Sequence, residues 1–292
     1  MSAFGYRNGE LCAEGRTLAS IAREFGTPCY VYSRAALETG FREFLAGCKG
    51  RDALVCYAVK ANSNLAVLDV FARLGAGFDI VSEGELARVL AAGGDPEKTL
   101  FSGVGKTEAE MRRAIAAGIR CFNIESAAEL DRLDAVARSM NTRAPVSFRV
   151  NPDVDAKTHP YISTGLRDNK FGIAHEDALP LYRRAAKMAG IRIAGIDCHI
   201  GSQLTETGPF VEALDKVLAL IDALAAEGIA IEHLDLGGGL GIRYRDEVPP
   251  SIGEYLATLF RRLGDRKLGL MFEPGRVLVG NAGLLLTKIE YL

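Results

Sequence analysis

The chain has 292 residues, of which 48% are apolar and 25% charged, and its formal net charge is −2. This is globular composition, with room for one large α/β domain or two ordinary ones; interspersed acids and bases leave no basic patch for nucleic acid and no polybasic segment for an anionic membrane. No apolar run reaches membrane-spanning length and residues 1–10 lack a signal-peptide pattern, so a cytoplasmic location is expected.

In chain order, residues 4–21 stand outside any repeat. Apolar, β-branched runs then recur with helical stretches between them, the pattern of parallel strands covered by helices. They fall at 54–59, 77–81, 99–102, 121–124, 146–151, 194–199, 233–236 and 268–273. Three helix starts carry the S/T-x-x-E capping box: Ser82 with Glu85, Thr107 with Glu110 and Ser126 with Glu129. Helix bodies follow at three and four spacing, as in Phe210, Leu214, Val217, Leu218 and Ile221, and glycines such as Gly93, Gly118, Gly190 and Gly228 end them. An eightfold β/α alternation predicts a closed (β/α)8 barrel with its site at the carboxyl ends of the strands, against a doubly wound open sheet. Residues 152–175 make a long polar loop, read as a wall of the active site. The run 284–292 is β-like and ends without an evident partner. Cys12, Cys29, Cys48, Cys56, Cys121 and Cys198 show no C-x-x-C spacing, so reduced thiols packed as small hydrophobes are expected, with no metal site.

Polar residues gather at the predicted strand ends. Lys60 follows the first strand, where partial desolvation would lower an amine's pKa toward the neutral form that attacks carbonyls; a lysine snorkelling from a strand end is the alternative. Asp79 and Ser82 follow the second strand, and Arg149 and Asn151 lie on the fifth. His199 and Ser202 follow the sixth, Gly237-Gly238-Gly239 the seventh, and Glu273-Pro274-Gly275-Arg276 the eighth. The set suits a phosphorylated aromatic aldehyde. The glycine run could form an anion nest or a tight turn of positive φ, but Ile242 breaks a G-x-G-x-x-G fingerprint. Gly105-Lys106-Thr107 resembles the tail of a P-loop, yet Leu100 stands where its first glycine belongs, so it is read as a helix start. Glu273 needs a cation or donor, which a protonated pyridine nitrogen would satisfy, as would an internal pair with Arg149 or Arg276. His199, Asp79 and Ser202 each have an ordinary structural role as an alternative.

The strings YAVKAN (57–62), GFDIVSEGEL (77–86), FSGVGKT (101–107), HPYISTG (159–165), NKFGI (169–173), CHIGSQ (198–203), DLGGGLG (235–241) and EPGR (273–276) resemble those of the diaminopimelate decarboxylases. The likeness runs in order from about Thr27 to the last residue. It implies the alanine-racemase-like barrel and pyridoxal 5′-phosphate. By the same resemblance Lys60 would hold the cofactor covalently, His199 would stack on its ring and Glu273 would bind the ring nitrogen. Ser202, Gly238, Gly239 and the backbone of Gly275-Arg276 would hold the phosphate, Pro274 would be a further cofactor-binding residue, Arg276 would also meet a substrate carboxylate, and Asp79 and Arg149 would lie near the ring.

The resemblance further implies an amino-acid substrate and a homodimer whose site the partner subunit completes. It divides the chain into an N-terminal segment (1–26), the barrel (27–278) and the start of a C-terminal β domain (279–292). On that expectation the family's cysteine proton donor lies beyond this sequence, the chain is a shortened form, and residues 4–21 are loose for want of the domain they pack on. A non-catalytic pyridoxal phosphate carrier and an amino-acid racemase or other decarboxylase on the same barrel are the alternatives.

Overall fold

The computed structural model describes residues 3–155 and 171–292. The chain opens with three short antiparallel strands, β1 (Phe4–Arg7), β2 (Glu10–Ala13) and β3 (Arg16–Thr17), followed by helix α1 (Leu18–Phe25). Strand β4 (Cys29–Tyr32) and helix α2 (Arg34–Gly47) lead into the barrel. Its first half is β5 (Ala53–Ala58), α3 (Leu65–Arg73), β6 (Gly77–Ile80), α4 (Glu83–Ala91), β7 (Thr99–Phe101), α5 (Glu108–Ala117), β8 (Cys121–Ile124) and α6 (Ala127–Ser139). The second half is β9 (Ala144–Asn151), β10 (Ile173–Ala174), α7 (His175–Ala185), β11 (Ile191–Asp197), α8 (Gly208–Ala226), β12 (His233–Asp235), α9 (Ile252–Leu263) and β13 (Gly269–Phe272). A short helix, α10 (Arg276–Val279), and strand β14 (Gly283–Leu286) follow.

The strands β5–β6–β7–β8–β9–β11–β12–β13 pair in parallel, and β13 pairs back onto β5, so the sheet closes. Closure rules out the open doubly wound sheet. The two-residue β10 is added beside the end of β9.

Period-two alternation explains both the core and the site. Outward residues such as Val55, Tyr57, Phe78, Phe122, Phe148 and Phe272 pack under the helices with Phe41, Phe44 and Phe71 in one apolar cluster, where the Tyr57 and Phe71 rings lie 4.4 Å apart. Each such side chain contributes roughly 1.5–3 kcal/mol through burial. Inward residues Leu54, Cys56, Leu100, Cys121, Ala194 and Met271 fill the barrel interior, so two of the cysteines are core filler there. Toward the carboxyl ends of the strands the inward positions turn polar: Asp79, Asn123, Asp197, Asp235 and Glu273, all buried.

The caps show how the helices are aimed. The complete capping box forms at Thr107/Glu110. Ser82 and Ser126 accept from the backbone N–H of Glu85 and Glu129, but those glutamates reach one residue further back, to the N–H of Val81 and Glu125. A further complete box at Ser251/Glu254 starts α9 and was not anticipated.

Two expectations for the ends are overturned. The terminal run has a partner, because β14 pairs antiparallel with β4, Gly283 opposite Tyr32 and Leu286 opposite Cys29. The two segments lie at opposite ends of the sequence, so no local pattern joins them. Residues 4–21 are tied down: the Glu14 Oε1 accepts from Ser33 Oγ at 2.7 Å and from the Ala35 N–H at 2.9 Å, fixing the N-terminal sheet to the start of α2, and Cys12, Ala13 and Ile21 are buried. Among the described residues no helix is long and apolar enough to cross a membrane.

Candidate active site

Lys60 sits one step beyond β5. The strand ends at Ala58, and residues Val59–Ala61 make a single 3-10 turn that lifts the lysine to the barrel mouth, with half its side chain exposed. Asp79 is the partner of Ala58 across the β5–β6 pair, and its buried Oδ2 accepts from Lys60 Nζ at 2.6 Å. Burial works to lower the amine's pKa, but the carboxylates of Asp79 and Glu273 outweigh it and hold the group above its ordinary value. The expectation of a desolvated, lowered amine is therefore reversed. Lys60 is an ammonium with a proton acceptor in contact.

On the side of β5 away from β6 stand Glu273 just past the neighbouring β13, then Asp235 on β12 and Asp197 on β11, with carboxyl oxygens within 4.8 Å of one another. Asp79, Glu125, Asp197, Asp235 and Glu273 are buried and outnumber the cations Lys60 and Arg149 beside them. Like charges this close cannot all ionise in a desolvated site. Burial, then the neighbouring carboxylates, pushes Glu273 and Asp197 well above the usual carboxylate range. Burial, opposed by the Gly237 N–H and helped by Asp79, pushes Asp235 up to about 7. The protonated form of Glu273 is favoured by burial and these neighbours, and Asn123 Nδ2 donates to its Oε1 at 3.3 Å. Neither internal pair considered for it forms: Arg149 bonds Glu125 at 2.9 Å, and Arg276 bonds Ser202 and Tyr244.

His199 follows β11, and its Nδ1 accepts from the Gly238 N–H at 3.3 Å. Burial, then the charges of Arg149 and Lys60, lowers its pKa well below the ordinary value, so the imidazole is neutral. The glycine loop after β12 is packed on its neighbours. Gly239 has φ +108°, and a Cβ there would lie 2.5 Å from the Gly201 carbonyl oxygen, so the turn reading accounts for that residue. Backbone pairing fixes the loop: Gly239 O accepts from the Leu204 N–H and Glu273 N–H donates to Gly237 O.

Ser202 and Arg276 mark the other side of the mouth. Arg276 Nε and Nη2 both lie 3.2 Å from Ser202 Oγ, Nη1 bonds the Tyr244 hydroxyl, and the guanidinium lies over the Tyr244 ring. Pro274 O accepts from the Ala58 N–H, locking the Glu273-Pro274-Gly275-Arg276 turn to the end of β5. A cleft of about 350 Å³ opens beside Arg276, walled by Ala61, Tyr244 and the β4–β14 sheet through Tyr30, Tyr32 and Leu285.

The barrel thus brings Lys60, Asp79, Arg149, His199 and Glu273 to one mouth, with Ser202, Gly238, Gly239, Pro274, Gly275 and Arg276 along one side. Of the loop read as an active-site wall, residues 156–170, with His159, Pro160, Tyr161 and Lys170, lie outside the described residues. Its return is seen at Gly172, whose N–H donates to Glu125 Oε2 at 2.9 Å.

Sequence reasoning missed Asn123, Glu125, Asp197 and Tyr244, and took Asp235 only as the residue before the glycines. A signal existed for three of them: a single polar residue at the inward position of an apolar strand, as in Cys121-Phe122-Asn123-Ile124, Gly195-Ile196-Asp197 and His233-Leu234-Asp235.

The arrangement tests well against an aromatic aldehyde with a basic ring nitrogen. Asp79 Oδ1, Asn123 Oδ1 and Asp197 Oδ1 are buried without a hydrogen-bond partner among the described residues, and the excess of carboxyl groups accommodates an N–H⁺ donor. An amine stands across the mouth, and a hydroxyl and a guanidinium stand at its side to meet an anion.

Residues 35–280 match the family described as pyridoxal-dependent decarboxylase, pyridoxal binding domain. The chain is 61% identical to the diaminopimelate decarboxylase of Pseudomonas aeruginosa and 60% identical to that of Vibrio cholerae, in each case over the whole chain and 70% of the relative. Among solved structures it is similar to diaminopimelate decarboxylase from Helicobacter pylori complexed with L-lysine (TM-score 0.92, 39% identity, 94% of this chain and 70% of that one). It is also similar to the diaminopimelate decarboxylase of M. jannaschii (TM-score 0.93, 38% identity, 99% of this chain and 70% of that one).

Proposed function

The chain belongs to the diaminopimelate decarboxylases, a branch of the pyridoxal-dependent decarboxylases, and on that premise we propose that it removes one carboxyl group of meso-2,6-diaminopimelate as CO₂ to leave L-lysine, the last step of lysine biosynthesis. The observation that carries this reading is the amine of Lys60 on Asp79 at the rim of the first barrel strand, with the buried Glu273 at the end of the neighbouring strand.

Pyridoxal 5′-phosphate, when bound, supplies an aldehyde that takes amines and a ring that draws the electron pair left by CO₂. Lys60 Nζ would hold the aldehyde carbon, and Asp79 Oδ2 is the acceptor for the proton the ammonium must first lose. Glu273, whose protonated form is favoured by burial and by the neighbouring carboxylates, would hold the ring nitrogen and keep a proton on it. His199, neutral and oriented by the Gly238 N–H, offers a flat ring face without repelling a cationic ring. Ser202, Arg276 and the backbone N–H groups of Gly238, Gly239 and Gly275 would take the phosphate, with Pro274, which has no N–H, shaping the turn beside it. Arg276 also faces the cleft by Tyr244, where a substrate carboxylate would meet it. Arg149, paired with Glu125, would lie near the ring.

Residues 1–26 form an N-terminal segment in this reading, 27–278 the cofactor-binding barrel and 279–292 the start of a β domain, with β4 pairing outward onto β14. A cytoplasmic homodimer whose partner completes the site is the arrangement supported by the family resemblance.

The test is CO₂ release from meso-diaminopimelate, lysine, ornithine and arginine. Release from diaminopimelate is expected; release confined to ornithine refutes the substrate. A cofactor band without CO₂ would favour the carrier alternative. Exchange of the substrate α-hydrogen without CO₂ would favour a racemase.

A further inference from the structure

The Gly105-Lys106-Thr107 string is absorbed neither by a phosphate nor by the site above. Thr107 caps α5, but the Lys106 side chain is wholly buried. Its ammonium donates to Gly103 O at 2.7 Å, Asn123 O at 2.8 Å and Glu129 Oε1 at 2.7 Å, which uses its full donor capacity. Glu129 Oε2 in turn accepts from the Glu125 N–H at 3.0 Å. Glu125 stands directly after β8 with its side chain 1% exposed. Its Oε1 accepts from Arg149 Nη1 at 2.9 Å and from the Gly103 N–H at 3.1 Å, and its Oε2 from the Gly172 N–H at 2.9 Å. One carboxylate therefore joins the β7–α5 turn, the β8–α6 turn, the return of the long loop and an arginine of the barrel mouth.

Arg149 has alternatives. It is almost buried, Asp197 is its register partner on β11, and the carboxyl oxygens of Asp197 and Glu273 lie within 4.8 Å of each other. A buried guanidinium without Glu125 would be driven onto one of them, since an unpaired buried charge is costly. A pair with Glu273 would occupy the carboxyl group that the ring nitrogen requires. Glu125 wins because backbone N–H groups hold both its oxygens in place, while the Lys106–Glu129 pair fixes the peptide it hangs from.

We propose that Glu125, braced by Lys106 through Glu129, is a positioning residue that keeps Arg149 away from Glu273 and so leaves the Glu273 carboxyl group open to the ring nitrogen of pyridoxal 5′-phosphate. This rests on the cofactor reading given above. The GKT string then serves the cofactor at second hand, as the anchor of that brace.

A double-mutant cycle on cofactor affinity tests it, read by titrating the chain with pyridoxal 5′-phosphate and following the visible band. Glu125→Gln sets an amide against N–H donors and releases Arg149; about tenfold weaker cofactor binding is expected, within the range of coupled buried pairs. In an Arg149→Met background the same substitution should change affinity less than about twofold, because the group it restrains is gone. Equal loss in both backgrounds overturns the proposal. Should Glu125→Gln not fold, the cycle is run with Glu125→Asp, which keeps the charge but not the reach, under the same criterion. Borohydride trapping separates the two levels of the argument. Label on Lys60 with an additive cycle sinks only the positioning role, whereas a parent chain that traps no label sinks the cofactor reading and this proposal together.

Discussion

Lys60 Nζ lies 2.6 Å from Asp79 Oδ2, at the point where β5 and β6 pair Ala58 with Asp79. The contact keeps the amine protonated, since the carboxylates overcome the burial that would lower its pKa. Only the neutral amine attacks an aldehyde. Asp79→Asn is therefore expected to move the pH profile for condensation with pyridoxal 5′-phosphate downward, followed as the rate at which the visible band appears. An unmoved profile would show that Asp79 does not set the state of the amine.

Glu273→Ala removes the acid that faces the ring nitrogen but leaves Lys60 in place. Lys60 should still hold the cofactor, with affinity lowered by at least about tenfold, and turnover at saturating cofactor should fall by about a hundredfold to a thousandfold, the scale of losing one preorganised partner of developing charge. Steady-state kinetics beside the absorbance of the bound cofactor checks this, and unchanged turnover would refute the role.

The buried acids also make a pH prediction. Asp235 titrates from 3.8 when unfolded to about 7 when folded, so between those values the folded chain binds more protons than the unfolded one. Its contribution is present below about pH 4 and is lost as pH rises through about 7. His199 and His233, held neutral by burial, act in the opposite sense, with His233 lowered to about 4. A difference measurement isolates the acid. In urea denaturation of the unliganded chain, the stability margin of Asp235→Asn over the parent should grow from about pH 4 to about pH 7 and then level off. A margin that shrinks over that range would contradict the assignment.

Gly195 on β11 faces His233 on β12, its register partner, and a Cβ at position 195 would lie 2.1 Å from His233 Nε2. The imidazole is buried between strands and has little room to retreat. Gly195→Ala should cost about 1–3 kcal/mol by overpacking, a fall in Tm of about 2–4 °C per kcal/mol. Thermal denaturation measures it. The loss should shrink in a His233→Ala background, and an equal loss there would place the strain elsewhere.

The barrel was legible because its strands announce themselves locally. Gly77-Phe78-Asp79-Ile80 and Cys121-Phe122-Asn123-Ile124 are short apolar runs, each followed by a serine that caps a helix, and that grammar needs no tertiary information. Much of the mouth was legible too, because Lys60, His199 and Glu273 stand at strand ends. Glu125 was not, since a carboxylate after a strand reads as an ordinary surface residue until its partners at Gly103, Arg149 and Gly172 converge on it. The β4–β14 pair escaped for a related reason: its strands lie at opposite ends of the chain, and backbone pairing leaves no trace in side-chain periodicity.

By itself the amino-acid order determined the repeat of strands and helices and which side chains reach the barrel rim, because both follow from local periodicity and capping chemistry. The closed structure alone decided the electrostatics of the site. The Lys60 and Glu273 pKa values are both raised because closure crowds Asp79, Asp197, Asp235 and Glu273 into one desolvated space, where each group's proton depends on neighbours that the sequence holds far apart.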